Sequence, residues 1–471
     1  MTDSKQSGFE FVMQDPTERF SNETRTKIRK QAMRGRVSAP RHRSSRSSSP
    51  PTNQSKCPTR CDSDLGHPLP PMPLSGLELL VRDRGLDPMD LSALASIHIG
   101  TIAAIVLSSE PSPLPGVLLC RQRSYFSYIP SHFGHTLALD DAFRCLITSA
   151  HSKLVPCHSS RPETILSNYS NALHSLQSAV KDPKTRYSTE VLCATAVLSI
   201  FELLNSPNGM PWSQHIAGAS RLIQLRGPSR FTSEFDKSLF ISLSYPICAQ
   251  SLLNNEYCFL DDPAWLEVMA STHVPSETFT DRSKLGIDLM MLKPRVSGLA
   301  KRTNHAVFMQ DMLQLEDFET IAADLRVARS KIVTWRRKFN TALIHAEERS
   351  REDPLDFGKR YELLGVSIVI HIILSRLLCS IAPNDRSLLE EEVQNLALEL
   401  KTVQGSLAHN RRAEFFFEQK SRIADAAIST HSYFEDVLDS GKIVEIWRLE
   451  KFFTALARKC CDGVACCDTN T

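Results

Sequence analysis

Residues 212–228, WSQHIAGASRLIQLRGP, carry the pattern of a helix that is buried on one face. Trp212 and the apolar residues after it recur three or four positions apart, which places them on one side of a helix. Pro211 suits the first turn, where a missing N–H costs least. Gly227 can take a left-handed conformation and Pro228 prevents continuation, so we predict that the helix ends at Arg226.

We interpret this segment as a packing element rather than a ligand site. The predicted structural core comprises Trp212, His215, Gly218, Gly227 and Trp265. Gly218 costs about 1 kcal/mol relative to Ala inside a helix, which indicates close approach of another helix. We expect Arg221 and Arg226 to complement the helix dipole at its carboxyl end. In FLDDPAW (259–265), Asp262 caps the helix that buries Trp265.

Two further segments predict helices inside the body. TEVLCATAVLSIFELL (189–204) is apolar nearly all round, apart from a face of Thr195, Ser199 and Glu202, as in a helix packed between others. Residues 321–346 place apolar side chains at alternating steps of four and three, a period of 3.5. That seam fits an amphipathic helix lying on the body, and it also fits a coiled coil that forms a dimer.

The longest apolar run is LLGVSIVIHIILSRLLCSI, residues 363–381. The run is interrupted by His371 and Arg376. One polar stripe along the helix is formed by Ser367, His371 and Ser375. We therefore predict a core helix with a wetter face rather than a membrane span.

These patterns predict an all-α fold. The 471 residues are 42% apolar, enough for a sizeable core, and few stretches alternate with period 2. We expect a disordered, basic, Ser/Pro/Arg-rich arm over 1–73, a large helical domain over 74–455 and a Cys-rich tail over 456–471.

The charge is divided unevenly along the chain. Residues 1–73 hold 13 Lys/Arg against 7 Asp/Glu, whereas the rest hold 42 against 46. Nine basic residues and no acid lie in one block, namely Arg25, Lys27, Arg29, Lys30, Arg34, Arg36, Arg41, Arg43 and Arg46. The block fits a nuclear import signal, weak nonspecific nucleic-acid contact or a merely solvated tail. It contains no aromatic residue on which a base would stack.

The cysteine pattern favours a reducing compartment. Many of the 13 cysteines are single residues inside apolar runs, as Cys193 is. In addition, the first twenty residues lack the apolar centre of a signal peptide. CCDGVACC (460–467) places four thiols in eight residues. Its spacing fits no known finger, so metal or redox chemistry and an inert tail both stay open.

We expect no catalytic residues, no metal ligands and no cofactor. The sequence holds no G-x-S-x-G, no phosphate-binding glycine loop, no dinucleotide fingerprint and no H-E-x-x-H. His132 and His135 occur in SHFGH without a carboxylate or Cys pair nearby in the sequence. The expected protein is therefore not an enzyme.

Several of these segments together resemble a known family. STEVLCATAVLSIFELLN, WSQHIAGASRLIQLRGP and SLFISLSYPICAQSLLNNEYCFLDDPAW resemble the regulatory domain of fungal-specific transcription factors, most specifically over 188–266. SYIPSHFGHTLALDDAFRCL is similar to that family's early helix pair. FEFV (9–12) followed by RTKIRKQAMRGR (25–36) resembles amino-terminal segments of members that lack the zinc cluster.

The resemblance implies an all-helical regulatory domain but also shows a departure. The family's binuclear zinc cluster needs six cysteines, whereas the arm holds only Cys57 and Cys61 with no second pair nearby. The absence of the cluster would also follow from a truncated gene model. The resemblance implies a nuclear transcription regulator that acts through other transcription proteins. A homo- or heterodimer is one possible form, and no membrane contact is expected. A helical small-molecule-binding protein or an enzyme without a recognisable motif is the alternative.

Overall fold

A computed structural model describes residues 75–97, 103, 124–155, 162–206, 210–312, 314–347, 354–407, 411–435 and 443–457. The predictions for the basic block, for Cys57 and Cys61, and for residues 460–467 lie outside these ranges. Within the described ranges the regular structure is helical throughout, with no strand, which confirms the predicted all-α class. All described residues belong to one compact unit, Met72–Thr471.

The α-helices are numbered here in chain order. They are α1 Gly76–Arg84, α2 Ile129–His132, α3 Leu137–Leu154, α4 Pro162–Lys181, α5 Thr189–Asn205, α6 Met210–Arg226, α7 Glu234–Leu253, α8 Pro263–Ser271, α9 Lys284–Phe308, α10 Leu315–Glu347, α11 Pro354–Ile381, α12 Arg386–Ser406, α13 Arg411–Ser429, α14 His431–Glu435 and α15 Ile446–Ala457. Short 3-10 helices occupy Pro88–Ser96, Tyr125–Tyr128, Pro228–Arg230, Phe259–Asp261 and Pro383–Asp385. Several α-helices begin where a Ser, Thr or Asp side chain accepts a backbone N–H, as Ser188 does for α5.

A first hydrophobic core forms around α5. Every residue from Val191 to Leu204 is buried, because α3, α4, α6 and α7 surround the helix. The predicted polar face is also buried: Thr195 donates to the Val191 carbonyl and Ser199 to that of Ala196. The prediction of a helix packed between others is therefore confirmed.

The opening segment forms α6 with the predicted ends. Trp212 is 6% exposed, and Gly227 follows the last residue with φ of +74°. Gly218 is a correction, because it lies on the exposed side of the helix. A Cβ added there would come no closer than 4.0 Å to Cγ2 of Thr195, so no close helix approach requires this glycine.

Arg226 lies in the last turn of α6, as the sequence predicts. Its guanidinium is also buried, and Nη2 donates to Oδ1 of Asp236 on α7, a contact that the sequence did not predict. Trp265 behaves as predicted: Asp262 accepts the Ala264 N–H at the start of α8, and the indole stacks on Phe240 inside the first core.

A second hydrophobic core is built from α9 to α15, and α9 contributes to both cores. The apolar seam of α10 packs inside the second core against α9 and α11. Its members in that core, fully or partly buried, are Ile321, Leu325, Ala328, Ile332, Trp335, Phe339, Ala342 and Ala346. The seam is thus covered within the chain, which supports the amphipathic-helix interpretation over the coiled-coil dimer.

The apolar run forms most of α11. Among the described residues, the segment Lys359–Ile381 has the length and composition to cross a membrane, but 89% of its apolar window is buried in the protein. The predicted core helix is therefore correct, whereas the wetter face is not. The polar stripe is buried, and Ser375 donates to Oε2 of Glu392, which also pairs with Arg329 of α10.

Candidate functional site

A cavity of about 70 Å³ lies where the two hydrophobic cores meet. Its walls come from α7, α9, α11, α13 and α15, so the site draws on both halves of the fold. The lining is mostly aliphatic, with Leu252, Leu253, Val296, Val366, Ile370, Ile373 and Ile423 among its members. The volume exceeds the space that one water needs, so the cavity can hold a small organic group.

Two lysines line this apolar space. Lys293 of α9 places Nζ 4.4 Å from the Tyr245 ring centroid and 3.5 Å from the Tyr245 carbonyl oxygen. Burial lowers the pKa of Lys293 to about 8, because desolvation disfavours the charged amine. Lys420 of α13 is 6% exposed, and its Nζ donates to the Phe416 carbonyl at 3.0 Å.

A glycine and two prolines shape the helices around the lysines. A Cβ on Gly365 of α11 would lie 2.8 Å from Cδ of Lys420 and 2.9 Å from Cζ of Phe417. Only glycine therefore lets α11 approach the Lys420 stem this closely. Pro294 follows Lys293 inside α9 and Pro246 lies inside α7, so both helices lack an internal hydrogen bond near the site.

A pair of thiols adjoins the cavity. Sγ of Cys248, a lining residue, lies 3.8 Å from Sγ of Cys258. Burial raises the pKa of the Cys248 thiol, so this side chain is protonated at neutral pH. The described cysteines, Cys145, Cys193, Cys248, Cys258 and Cys379, are all free and buried, as the sequence predicts for a reducing compartment.

The charges and walls of the cavity define what it can bind. An ammonium in an apolar setting attracts an anion more strongly than one in water, because the medium screens less. The aliphatic walls would cover a hydrocarbon body of similar size. The arrangement suits a small carboxylic acid, with Lys293 and Lys420 as the cationic groups of the lining.

His215, by contrast, belongs to a structural cluster beside α5. Tyr169 donates to Oε1 of Glu202, and Ser206 donates to Oε2 at 2.5 Å. Nε2 of His215 lies 3.5 Å from the Tyr169 hydroxyl oxygen. Burial lowers the pKa of His215 to about 4, so the imidazole is neutral at physiological pH. This position agrees with a structural role.

The fold also changes the prediction for His132 and His135. Glu190, at the start of α5, lies with Oε1 2.9 Å from Nδ1 of His132. Donor atoms of the two histidines and Glu190 all lie within 4.8 Å of one another. The sequence could not identify this carboxylate, because 58 positions separate His132 from Glu190.

Sequence reasoning missed both cavity lysines. Lys293 stands immediately before a proline inside an apolar segment, which is the one local signal for it. Lys420 gives no such signal, because its burial depends on Gly365 from a different helix.

Comparisons with known proteins find a family match within the first core. The model of the fungal specific transcription factor domain matches residues 143–299, from α3 into α9. The uncharacterized protein AN5342 of Emericella nidulans is 28% identical over 242 residues, which cover 48% of this chain and 50% of that protein. The chain thus spans about half the length of the curated relative it matches, and no solved structure matches it. Residues 143–299 thus match the fungal specific transcription factor domain, as the resemblance predicts, and a match of this kind points to transcription regulation.

Proposed function

We propose that the protein regulates transcription in the nucleus through its helical domain and through protein partners. The family match over residues 143–299 is the observation that carries this proposal. The charge distribution supports it: a basic block is available for import, whereas residues 74–471 are net acidic and would repel DNA phosphates. In this proposal DNA is read by a partner, because the 471 residues contain no six-cysteine cluster.

The test is a tethering experiment with the full chain. The chain is fused to a heterologous DNA-binding domain in fungal cells that carry a matching reporter gene. We expect the fusion to raise or lower reporter expression relative to the DNA-binding domain alone. Trp212→Ala, which destabilises the first core, should abolish the change, whereas Trp447→Ala at an exposed indole should retain it. An unchanged reporter with a stably expressed fusion would contradict the proposal.

We also propose that a small carboxylic acid in the cavity regulates this activity. The carrying observation is the pair of lysines in an apolar space that touches both cores. An occupant would contact α7 and α9 together with α11 and α13, so its binding would stabilise the junction between the cores. The same cavity supports the alternative function, that of a helical small-molecule-binding protein without a role in transcription.

Thermal unfolding with added ligands tests the cavity. The ligands are aliphatic carboxylic acids of increasing length and the corresponding alcohols. We expect the acids, and not the alcohols, to raise the Tm, and Lys293→Met to remove the rise. Lys451→Met on α15 is the matched control at an exposed lysine. Equal shifts by acids and alcohols, or shifts that survive Lys293→Met, would contradict recognition of a carboxylate. Ligand binding without any reporter effect would favour the alternative function.

A further inference from the structure

We propose that His132, His135 and Glu190 form a binding site for a transition-metal dication, with Zn²⁺ as the best fit. The site lies on the surface of the first core, away from the cavity lysines, and it is independent of the proposed regulatory function. The structure holds a preformed pair, since Nδ1 of His132 lies 2.9 Å from Oε1 of Glu190. The third donor, on His135, completes a set that lies within 4.8 Å.

The backbone between the two histidines brings their rings to one side. Gly134 has φ of +93°, a conformation that residues with a Cβ rarely adopt. Its N–H donates to Oδ1 of Asp140 at 2.8 Å, and the His135 N–H donates to the His132 carbonyl at 3.2 Å. The ring centroids of the two histidines are consequently only 5.7 Å apart.

His132 and Glu190 are held in place by their surroundings. The His132 ring lies 4.5 Å from the Phe235 ring, centroid to centroid, which limits its rotation. Glu190 is fixed in the first turn of α5, where Ser188 caps the helix. His135 is exposed, so it is the ligand that can turn toward an incoming ion.

The distances and ligand types select the metal. Bonds of about 2.0–2.2 Å place tetrahedral ligands roughly 3.4 Å apart, so a shift of about 1–1.5 Å at His135 closes the set. Two imidazoles and one carboxylate suit Zn²⁺ and neighbouring transition metals, whereas Mg²⁺ and Ca²⁺ prefer oxygen ligands. Three protein ligands leave one position for water or for a ligand from another molecule.

Bound metal would tie the segment before α3 to the start of α5. We therefore expect Zn²⁺ to raise the Tm of the full chain and to bind with a stoichiometry of one. The measurements use a background with Cys57→Ser, Cys61→Ser, Cys460→Ser, Cys461→Ser, Cys466→Ser and Cys467→Ser, so that thiols in the arm and tail do not compete. Co²⁺ serves as the spectroscopic probe of the ligand type.

His135→Gln is the decisive variant, because it removes one donor and leaves the His132–Glu190 pair in place. We expect this change to weaken Zn²⁺ binding about tenfold or more, and Glu190→Gln to do the same. His174→Gln, at an exposed histidine of α4, is the control and should bind as the parent does. Unchanged affinity in His135→Gln, or a Co²⁺ spectrum dominated by thiolate charge transfer, would overturn the site. Unchanged circular dichroism shows that each variant is folded.

Discussion

Nη2 of Arg226 lies 2.6 Å from Oδ1 of Asp236, with the two side chains 3% and 8% exposed. This pair joins the end of α6 to the first turn of α7. Arg226 also donates to the Ser188 carbonyl and Thr189 donates to Asp236, so the start of α5 is part of the same contact. The three central helices of the first core are therefore joined at one point by buried charge.

Replacing one member of this pair should destabilise the protein strongly. Arg226→Met leaves the Asp236 carboxylate buried without its cation, and we expect a loss of about 3 kcal/mol in the free energy of unfolding. A urea melt measures it. Arg221→Met, at an exposed arginine of the same helix, is the control and should change stability by about 0.5 kcal/mol or less. A similar small change in Arg226→Met would mean that the pair is not buried in solution.

Trp212→Ala tests the placement of α6 in the core. The indole is 6% exposed, and truncating a buried large aromatic usually costs about 3–5 kcal/mol. Trp447→Ala provides the comparison, because that indole is 42% exposed and should cost much less. A loss below about 1 kcal/mol in a denaturant melt of Trp212→Ala would contradict the buried position.

His215 predicts a dependence of stability on pH. Its pKa is lowered to about 4 by burial, whereas an unfolded histidine titrates near 6.5. The unfolded state therefore takes up the proton first, and stability is lost as the pH falls from about 6.5 toward 4. Above pH 6.5 the contribution is fully present. We expect the loss at this site to reach about 2–3 kcal/mol at pH 4.

The difference between the parent and His215→Gln isolates that contribution. The difference between the two free energies of unfolding should change between pH 7 and about pH 4.5, because only the parent carries the histidine that loses stability in this range. Tyr169 faces the imidazole and donates to Glu202, and both residues remain unchanged in the two proteins. A difference that does not vary with pH would exclude the lowered pKa of His215.

Nuclear accumulation should depend on the basic block. A fluorescent fusion of the full chain is compared with a variant in which six residues become Gln: Arg25, Lys27, Arg29, Lys30, Arg34 and Arg36. Import receptors bind clustered positive charge, so we expect the variant to spread into the cytoplasm. Replacing the arm's more distant Lys56 and Arg60 is the control. An unchanged nuclear signal in the six-residue variant would show that the import signal lies elsewhere.

The protein alone should lack tight, sequence-specific affinity for DNA. Specific recognition needs side chains held rigidly against base edges. The only strongly basic block lies in the predicted disordered arm, so binding should be weak and fall steeply with salt. A binding-site selection on the purified chain at near-physiological salt measures this. Recovery of a single motif bound at nanomolar strength would reveal a DNA-reading element within these residues.

The sequence predicted what depends on local chemistry. The ends of α6, the cap at Asp262 and the burial of Trp265 follow from residues close together in the chain, and the structure agrees. Gly218 was misjudged, and the buried partner of Arg226 was missed, because the surroundings of each residue depend on helices elsewhere in the chain. Helical periodicity shows which side of a helix is buried. It does not show which residues of other helices pack against that side, so the contacts around Lys293 and Glu190 could not be predicted.

The two cores share α9, and this has a practical consequence for anyone who expresses part of the protein. The family match ends at residue 299, inside Lys284–Phe308. In that helix Ile287 and Met290 belong to the first core, whereas Leu292, Val296 and Leu299 belong to the second. A fragment cut at the family boundary would expose that second set to water and would tend to aggregate. Soluble expression should require the helices up to Ala457.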